Sequence, residues 1–358
     1  MKRVFLLMTT ILLLMMPLGC TQTPQEEAPP EQEPEQTQPL HLTSLSIELQ
    51  RDGQDAQQLL EAIKVLPEQL QTALASYDVT VDEISMTVGS SHTATIQALE
   101  SGSIDLAFLS AETLAEQSTT VDPIALSGPL FWDQGEDLAA WNQAPDEAPL
   151  IPGYRALICA APTEYGKNLA SRESLTWEEL DRARWGVLAE DSILGYRALN
   201  LWLADHYEGN TISDLSQVKV YDSFAALLRA AADGTVDLFP MDESQREDWA
   251  EAWSLPQDET DSRGNAGFGR PGSIWEEVPV LGLTDWFYDM AIAASPTRSD
   301  LFDSHFAEAL SQAVRDLATL ADFDRETRLL ALAAFSDFSY APASDGALDA
   351  TRRLLTIE

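Results

Sequence analysis

Serines stand at the places where strands should turn into helices. Ser90-Ser91 precedes a helix from Thr93, and Ser110 follows the strand-like run Ile104–Leu109. Ser192 precedes a helix beginning near Leu194, and Ser223 precedes another at Phe224. A serine there can cap the helix, its hydroxyl accepting from a backbone N–H two or three residues on. It can also join the unpaired N–H groups and the dipole of the helix start in holding the oxygens of a ligand. Strand–helix folds are rich in such serines, so their number assigns nothing alone. Asp222 beside Ser223, and Asp242 at the end of Asp237-Leu-Phe-Pro-Met-Asp242, add carboxylates at similar junctions. Asp242 is expected to face a cleft.

Other chemistry finds little footing. His41, His92, His206 and His305 are scattered without ligand spacing, so no metal site is expected. There is no Gly-x-Ser-x-Gly elbow. Carboxylates are too numerous for one pair to stand out as a hydrolytic dyad. Gly264, Gly267 and Gly269 lack the leading strand and following helix of a nucleotide fingerprint, so no cofactor is expected. Cys159, in Leu157-Ile-Cys-Ala160, reads as a small core hydrophobe. Trp132 is a candidate rim aromatic, although most tryptophans belong to the core. The chain is not read as an enzyme.

The elements that must position these residues alternate. Leu45–Leu49 is a strand, and Leu59, Leu60, Ile63, Leu66, Leu70 and Leu74 follow at helical spacing over Asp55–Ala75. Val79–Val88 is a strand, Thr93–Glu100 a short helix closed by Gly102, and Ile104–Leu109 a third strand. The unit recurs: helix Trp177–Ala183, strand Trp185–Leu188, helix Leu194–Tyr207, strand Val218–Tyr221, helix Phe224–Ala232 closed by Gly234, strand Val236–Phe239. Such alternation predicts an α/β fold with wound, largely parallel sheets flanked by helices. Both Gly102-Ser-Ile-Asp105-Leu106 and Gly234-Thr-Val-Asp237-Leu238 follow a helix, which points to duplicated lobes. Residues 257–273 read as a surface loop, and Pro279–Leu283 as a strand. Helices over Asp303–Leu320 and Asp324–Phe335 are expected to return to the first lobe.

The amino-terminal residues suggest export. Lys2 and Arg3 precede an apolar run from Val4 to Met16, too short for the roughly 20 residues of a membrane-spanning helix. Residues 1–19 therefore read as a signal peptide. Gly19-Cys20 resembles a bacterial lipobox, in which Cys20 would be lipidated; Pro17 departs from the usual leucine. The alternative is an ordinary secreted protein cleaved nearby. Residues 20–41 are rich in Gln, Glu, Pro and Thr, the composition of a disordered tether. A lipid on Cys20 would anchor the protein to the outer face of the cell membrane.

The formal charge is −38, and losing Lys2 and Arg3 would make it −40. Nucleic acid and anionic lipid are poor partners for such a surface. Long-range steering favours cationic or zwitterionic ligands, though solubility alone also accounts for the acidity. About 315 residues remain after the tether, enough for two lobes.

Several of these runs, taken in order, resemble a known family. Ile96–Leu109, Tyr154-Arg-Ala-Leu-Ile, Ser192-Ile-Leu-Gly195-Tyr196, and Asp222-Ser223 followed by Gly234-Thr-Val-Asp237 are similar to the phosphate/phosphite/phosphonate-type substrate-binding proteins of ABC transporters. The resemblance covers roughly 45–340. It implies a type II periplasmic-binding-protein-like, two-lobe Venus-flytrap fold with the ligand clamped between lobes. Lobe I would span 42–150 and 278–358, and lobe II 151–277. A permease and an ATPase are the implied partners of a monomeric, extracytoplasmic, non-catalytic protein. Implied ligand-binding positions are Ser91, His92, Ser110, Ser192, Gly195, Tyr196, Asp222, Ser223 and Asp242.

Departures bear on the ligand. The family's Ser-Thr-Ser-Gly-Tyr is here Ser192-Ile193-Leu194-Gly195-Tyr196, and its Gly-Ser-His is Asp222-Ser223-Phe224 or, one residue earlier, Tyr221-Asp222-Ser223, without the histidine either way. Leu114 replaces an aromatic after Ser110, and His92 occupies an aromatic position. Fewer hydroxyls and an added carboxylate suit a dianion poorly, because like charges repel strongly in a closed cleft. A ligand with an apolar or cationic portion is expected. A sensor lipoprotein of the same fold, a surface lipoprotein enzyme and a purely structural lipoprotein are the competing readings.

Overall fold

The computed structural model describes residues 39–51, 53–145, 148–336 and 339–357. Residues 1–19, expected to be a signal peptide, Cys20 and nearly all of the expected tether lie outside them. The first half-sheet is built from β1 (Leu40–Leu49), α1 (Ala56–Ala75), β2 (Val79–Val88), α2 (His92–Ser101), β3 (Leu106–Ser110), α3 (Ala111–Gln117) and β4 (Asp122–Gly128). A short arm of β5 (Leu130–Trp132) and β6 (Leu150–Pro152) leads across. Next come β7 (Ala156–Ala160), α4 (Glu164–Ala170), α5 (Trp177–Arg182), β8 (Trp185–Val187), α6 (Ala198–His206), β9 (Val218–Val220), α7 (Phe224–Ala232) and β10 (Leu238–Asp242). After α8 (Glu243–Asp248), α9 (Ala250–Ser254), α10 (Ile274–Glu277) and β11 (Val280–Leu283), the chain crosses back. It finishes with β12 (Met290–Ala294), α11 (Ser304–Thr319), α12 (Arg325–Phe335), β13 (Ser339–Pro342) and α13 (Asp349–Thr356).

Two sheets result, one per lobe. The first has strand order β13-β4-β12-β3-β1-β2, the second β11-β7-β10-β8-β9. Strands β1, β2 and β3 are mutually parallel, whereas β12 runs against β3 and β4. In the second sheet β8 is parallel to β9 and β10, while β7 runs against β10 and β11. These directions fix the geometry of the crossings. The chain leaves the first sheet at the end of β4 and enters the second at the start of its antiparallel strand β7. It returns from the end of β11 to the start of β12. Both crossings therefore join carboxyl edge to carboxyl edge, and the helix N-termini of the two lobes face the gap.

Alternation along the strands divides each core. In β7, Leu157 and Cys159 pack with Phe239, Met241, Leu227 and Trp253 on one face, while Ile158 and Ala160 pack with Leu180, Leu199 and Leu203 on the other. Cys159 is fully buried, and burial pushes its thiol up to about 12. In the first lobe α1, α11 and α12 cover β1 through Leu66, Phe306 and Phe335, as their amphipathic pattern requires. The opposite face is covered by α2, α3 and the last helix, through Ile96, Leu114 and Leu348.

The duplicated phrase performs the same task twice. Gly102 and Gly234 each take a left-handed φ, +71° and +70°, and end their helices. Asp105 accepts from the Ser46 N–H and hydroxyl, both at 2.8 Å, and from Arg298 at 2.6 Å. Asp237 accepts from the Arg184 N–H at 3.0 Å, its guanidinium at 2.7–2.8 Å, and Thr163 at 2.6 Å. Each carboxylate thus fastens the strand entrance to the neighbouring strand, and the strands begin one residue later. The run expected at 236–239 is accordingly found at 238–242, so Asp242 closes the strand. Pro240 lies inside this central strand. Its nitrogen is on the β8 side, where pairing stops at Leu238, so no ladder donor is lost.

The 257–273 segment is less superficial than its composition suggests. Phe268 is buried against Trp249 and Trp253, with the Arg229 guanidinium 3.9 Å from its ring. Asp261 gathers the turn by accepting from the N–H groups of Arg263 and Asn265.

Candidate functional site

The four junction serines all act as caps. Ser91 accepts from Ala94 N–H, Ser110 from Thr113, Ser192 from Gly195 and Ser223 from Ala226, at 3.1–3.3 Å. Asp242 does the same for Ser244 at 2.9 Å. Capping leaves oxygen lone pairs and N-terminal N–H groups at the two facing edges. Ser91, His92 and Ser110 stand on the first lobe's edge; Ser192, Asp222, Ser223 and Asp242 stand on the second.

The two edges share a cavity beside the crossings. A cavity of about 140 Å³ is lined by Ser110 and Glu112 of the first lobe, Ile193 of the second, and Tyr154, Tyr288 and Asp289 of the crossings. Leu354 and Leu355 of α13 complete it. Ser110 and the residue after Ser192 therefore share one space. Of the expected residues only Ser110 lines it: Ser91, His92, Ser192, Gly195, Tyr196, Asp222, Ser223 and Asp242 do not, and Asp222 and Ser223 are exposed.

Local structure explains the Ser192 segment. Residues Ile193–Arg197 form a single π turn in which the Ser192 carbonyl accepts from the N–H groups of both Tyr196 and Arg197. Wide turns of this kind are frequent at functional sites. Gly195 is there because a Cβ would lie 2.5 Å from Leu188. Tyr196 turns away and packs on the Leu180–Leu203 core of the second lobe. Ile193, Leu194 and Phe224 all pack on one apolar cluster with Ala156, Leu201, Phe287 and Tyr154.

Carboxylates bring the opposite character. Burial raises the Asp289 carboxyl above its ordinary range, offset in part by a hydrogen bond with Tyr154. Burial likewise raises Asp242. The Tyr154 phenol is raised by burial and then by Asp289. Sequence reading missed Tyr154 and Asp289 as site residues; their position at the chain crossings is the only signal that pointed to them. Trp132 sits on the β5 arm and donates from Nε1 to Glu247 at 3.2 Å.

Two wound sheets, two crossings and helix N-termini facing across the gap define the type II, two-lobe class of periplasmic binding proteins. The chain's sequence from 53 to 346 matches the family model described as the periplasmic phosphonate substrate-binding protein of ABC transporters. The protein belongs to that family, whose members bind small ligands outside the cytoplasmic membrane and work with a permease and an ATPase. They are transport proteins, not enzymes. A search of curated protein sequences finds no match. Solved structures similar to the chain include a Prochlorococcus marinus protein in complex with methylphosphonate, at 12% identity, covering 88% of this chain and 99% of that one, with TM-score 0.33. A binding component of an ABC phosphonate transporter from Pseudomonas aeruginosa has 13% identity, coverages of 88% and 86%, and TM-score 0.32. The aliphatic sulphonate-binding protein of Escherichia coli has 16% identity, coverages of 87% and 90%, and TM-score 0.32.

Proposed function

We propose that this substrate-binding protein takes a small organic ligand with an apolar or cationic portion, bound at the facing edges around Ser110 and Ser192, and delivers it to its permease. The observation that carries this reading is the packing of Ile193, Leu194 and Phe224, at positions where the resemblance implies polar groups, on one apolar cluster. The half-buried Asp289 carboxyl on the cavity wall adds no positive group to hold a dianion. Ser110 offers its hydroxyl at the cavity, and closure of the lobes would bring the hydroxyls of Ser192, Ser91 and Ser223 towards a polar head. His92, Gly195, Tyr196 and Asp222 complete the proposed set, with Gly195 and Tyr196 shaping the turn. Lobes 42–150 with 278–358, and 151–277, would close on the ligand. A lipid on Cys20 would hold the protein, acting as a monomer, at the membrane.

Native mass spectrometry of the soluble domain, followed by thermal shifts with alkylphosphonates, alkylsulphonates, amines and amino acids, tests the reading. A co-purified or stabilising compound bearing an amine or alkyl group is expected. Tight binding of inorganic phosphate or methylphosphonate in preference to these would overturn it.

A further inference from the structure

The last helix, α13, belongs by chain order to the first lobe, because β13 just before it is an edge strand of the first sheet. Its contacts divide between the lobes. Leu348 and Leu355 pack with Leu114 of α3 in the first lobe. Ala350, Leu354 and Ile357, four and three residues apart, pack with Leu194 and Leu201 of the second. Side chains at such spacings fall on one stripe of a helix, so α13 presents one apolar stripe to each lobe. Each stripe holds a deeply buried leucine, Leu348 at 1% and Leu354 at 4% exposed.

Polar groups of the second lobe hold the carboxyl end of α13. The Arg197 guanidinium donates to the Leu354 carbonyl at 3.0 Å. That carbonyl lies in the last turn, where a helix runs out of donors of its own. A cation there also complements the helix dipole. Arg353, one residue earlier, pairs with Asp205 near the end of α6. At the amino end, the N-cap Leu348 supplies no side-chain cap. The helix has 8 residues, whereas isolated helices shorter than roughly 12 are marginal in water. It is therefore kept in shape by its neighbours, and these lie in both lobes.

The hold reaches the ligand cavity. Arg197 closes the π turn that starts after Ser192, and Ile193 of that turn lines the cavity together with Leu354 and Leu355. The two chain crossings are covalent links between the lobes. α13 adds a third, non-covalent one.

We propose that α13 is an interlobe strap. Rooted in the first lobe and latched on the second by Arg197 and Asp205, it restrains the lobes at the separation seen here. Its last turn must let go for them to part in a hinge motion.

Hydrogen exchange and small-angle scattering of residues 38–358, which form one compact unit, test this with no ligand present. Arg353→Asp sets like charges against one another, and Arg197→Ala removes the donor from the Leu354 carbonyl. Each should speed exchange of the amides at 354–357 roughly fivefold and raise the radius of gyration. Adding Asp205→Arg to Arg353→Asp restores the pair with its charges exchanged, and should bring both readouts back towards wild type. Faster exchange at an unchanged radius would reveal a helix end that frays and restrains nothing, and would overturn the proposal. So would unchanged exchange and radius in both single variants, or a charge swap as loose as Arg353→Asp alone. No ligand enters these measurements, so failure of the cleft reading would leave the strap standing, and failure of the strap would leave the cleft reading untouched.

Discussion

The N–H of Tyr154 donates to the Phe287 carbonyl at 3.0 Å, and the N–H of Phe287 returns to the Tyr154 carbonyl at 2.8 Å. These residues belong to the two strands of chain that cross between the lobes, so the crossings are stapled to one another rather than running independently. Bending between lobes must be shared by both.

Gly153 sits beside that staple with φ +124°, and a Cβ there would lie 2.9 Å from the Tyr288 ring and 3.1 Å from the Phe287 carbonyl. Gly153→Ala is expected to lower stability by about 1–3 kcal/mol, since both strain and crowding oppose it. Urea unfolding of the soluble domain measures this; a change within experimental error would show that the crossing relaxes freely.

Asp237 is 3% exposed and accepts from three donors of Arg184 as well as from Thr163. Removing it unpairs the Arg184 backbone N–H and the Thr163 hydroxyl, while the half-exposed guanidinium can turn to water. Asp237→Ala should cost roughly 1–3 kcal/mol, and Asp105→Ala a similar amount in the other lobe. Chemical denaturation of the two variants side by side checks the equivalence.

Glu243 gives a pH signature. Burial first, then the charges of Asp242, Glu247 and Asp133, push its carboxyl up to about 8, with Arg155 opposing. Between the ordinary glutamate range near pH 4.5 and pH 8 the folded state holds a proton that the unfolded state has released. Stability must therefore fall as pH rises through that window, by up to a few kcal/mol. Glu243→Gln should be flatter over the window and more stable than wild type at pH 8 to 9. Melting temperatures at stepped pH decide it, and parallel curves for the two proteins would contradict the prediction.

Ser192→Ala and Ser110→Ala each remove a cap and should cost about 1 kcal/mol. A ligand that uses the hydroxyls would lose affinity beyond that uniform loss, which titration of the folded variants would reveal. Unchanged affinity in both would confine these serines to capping.

Much of this architecture can be read from the chain, and the reasons are local. Capping depends on a serine and the backbone a few residues on, so all four junctions are legible. The Gly-x-x-Asp-Leu phrase is legible as a repeat because a left-handed glycine and a strand-fastening carboxylate have few substitutes. What escapes is set by distant partners. Asp237 moves the β10 boundary because Arg184 is brought beside it. Phe268 anchors a Gly-rich loop because Trp249 and Trp253 await it. Glu243 is hidden among 59 acidic residues, and only its burial distinguishes it. Ile193, Leu194 and Phe224 read as separate departures until the fold collects them.

Cys159 has a practical consequence. Its sulfur is sealed in β7, and its high thiol pKa leaves almost no thiolate at neutral pH. Among the described residues it is the only free cysteine. Thiol-directed dyes would therefore pass over the native domain. A cysteine placed on each lobe's surface can be labelled in the wild-type background, and the distance between the two dyes would follow the opening and shutting of the molecule in solution.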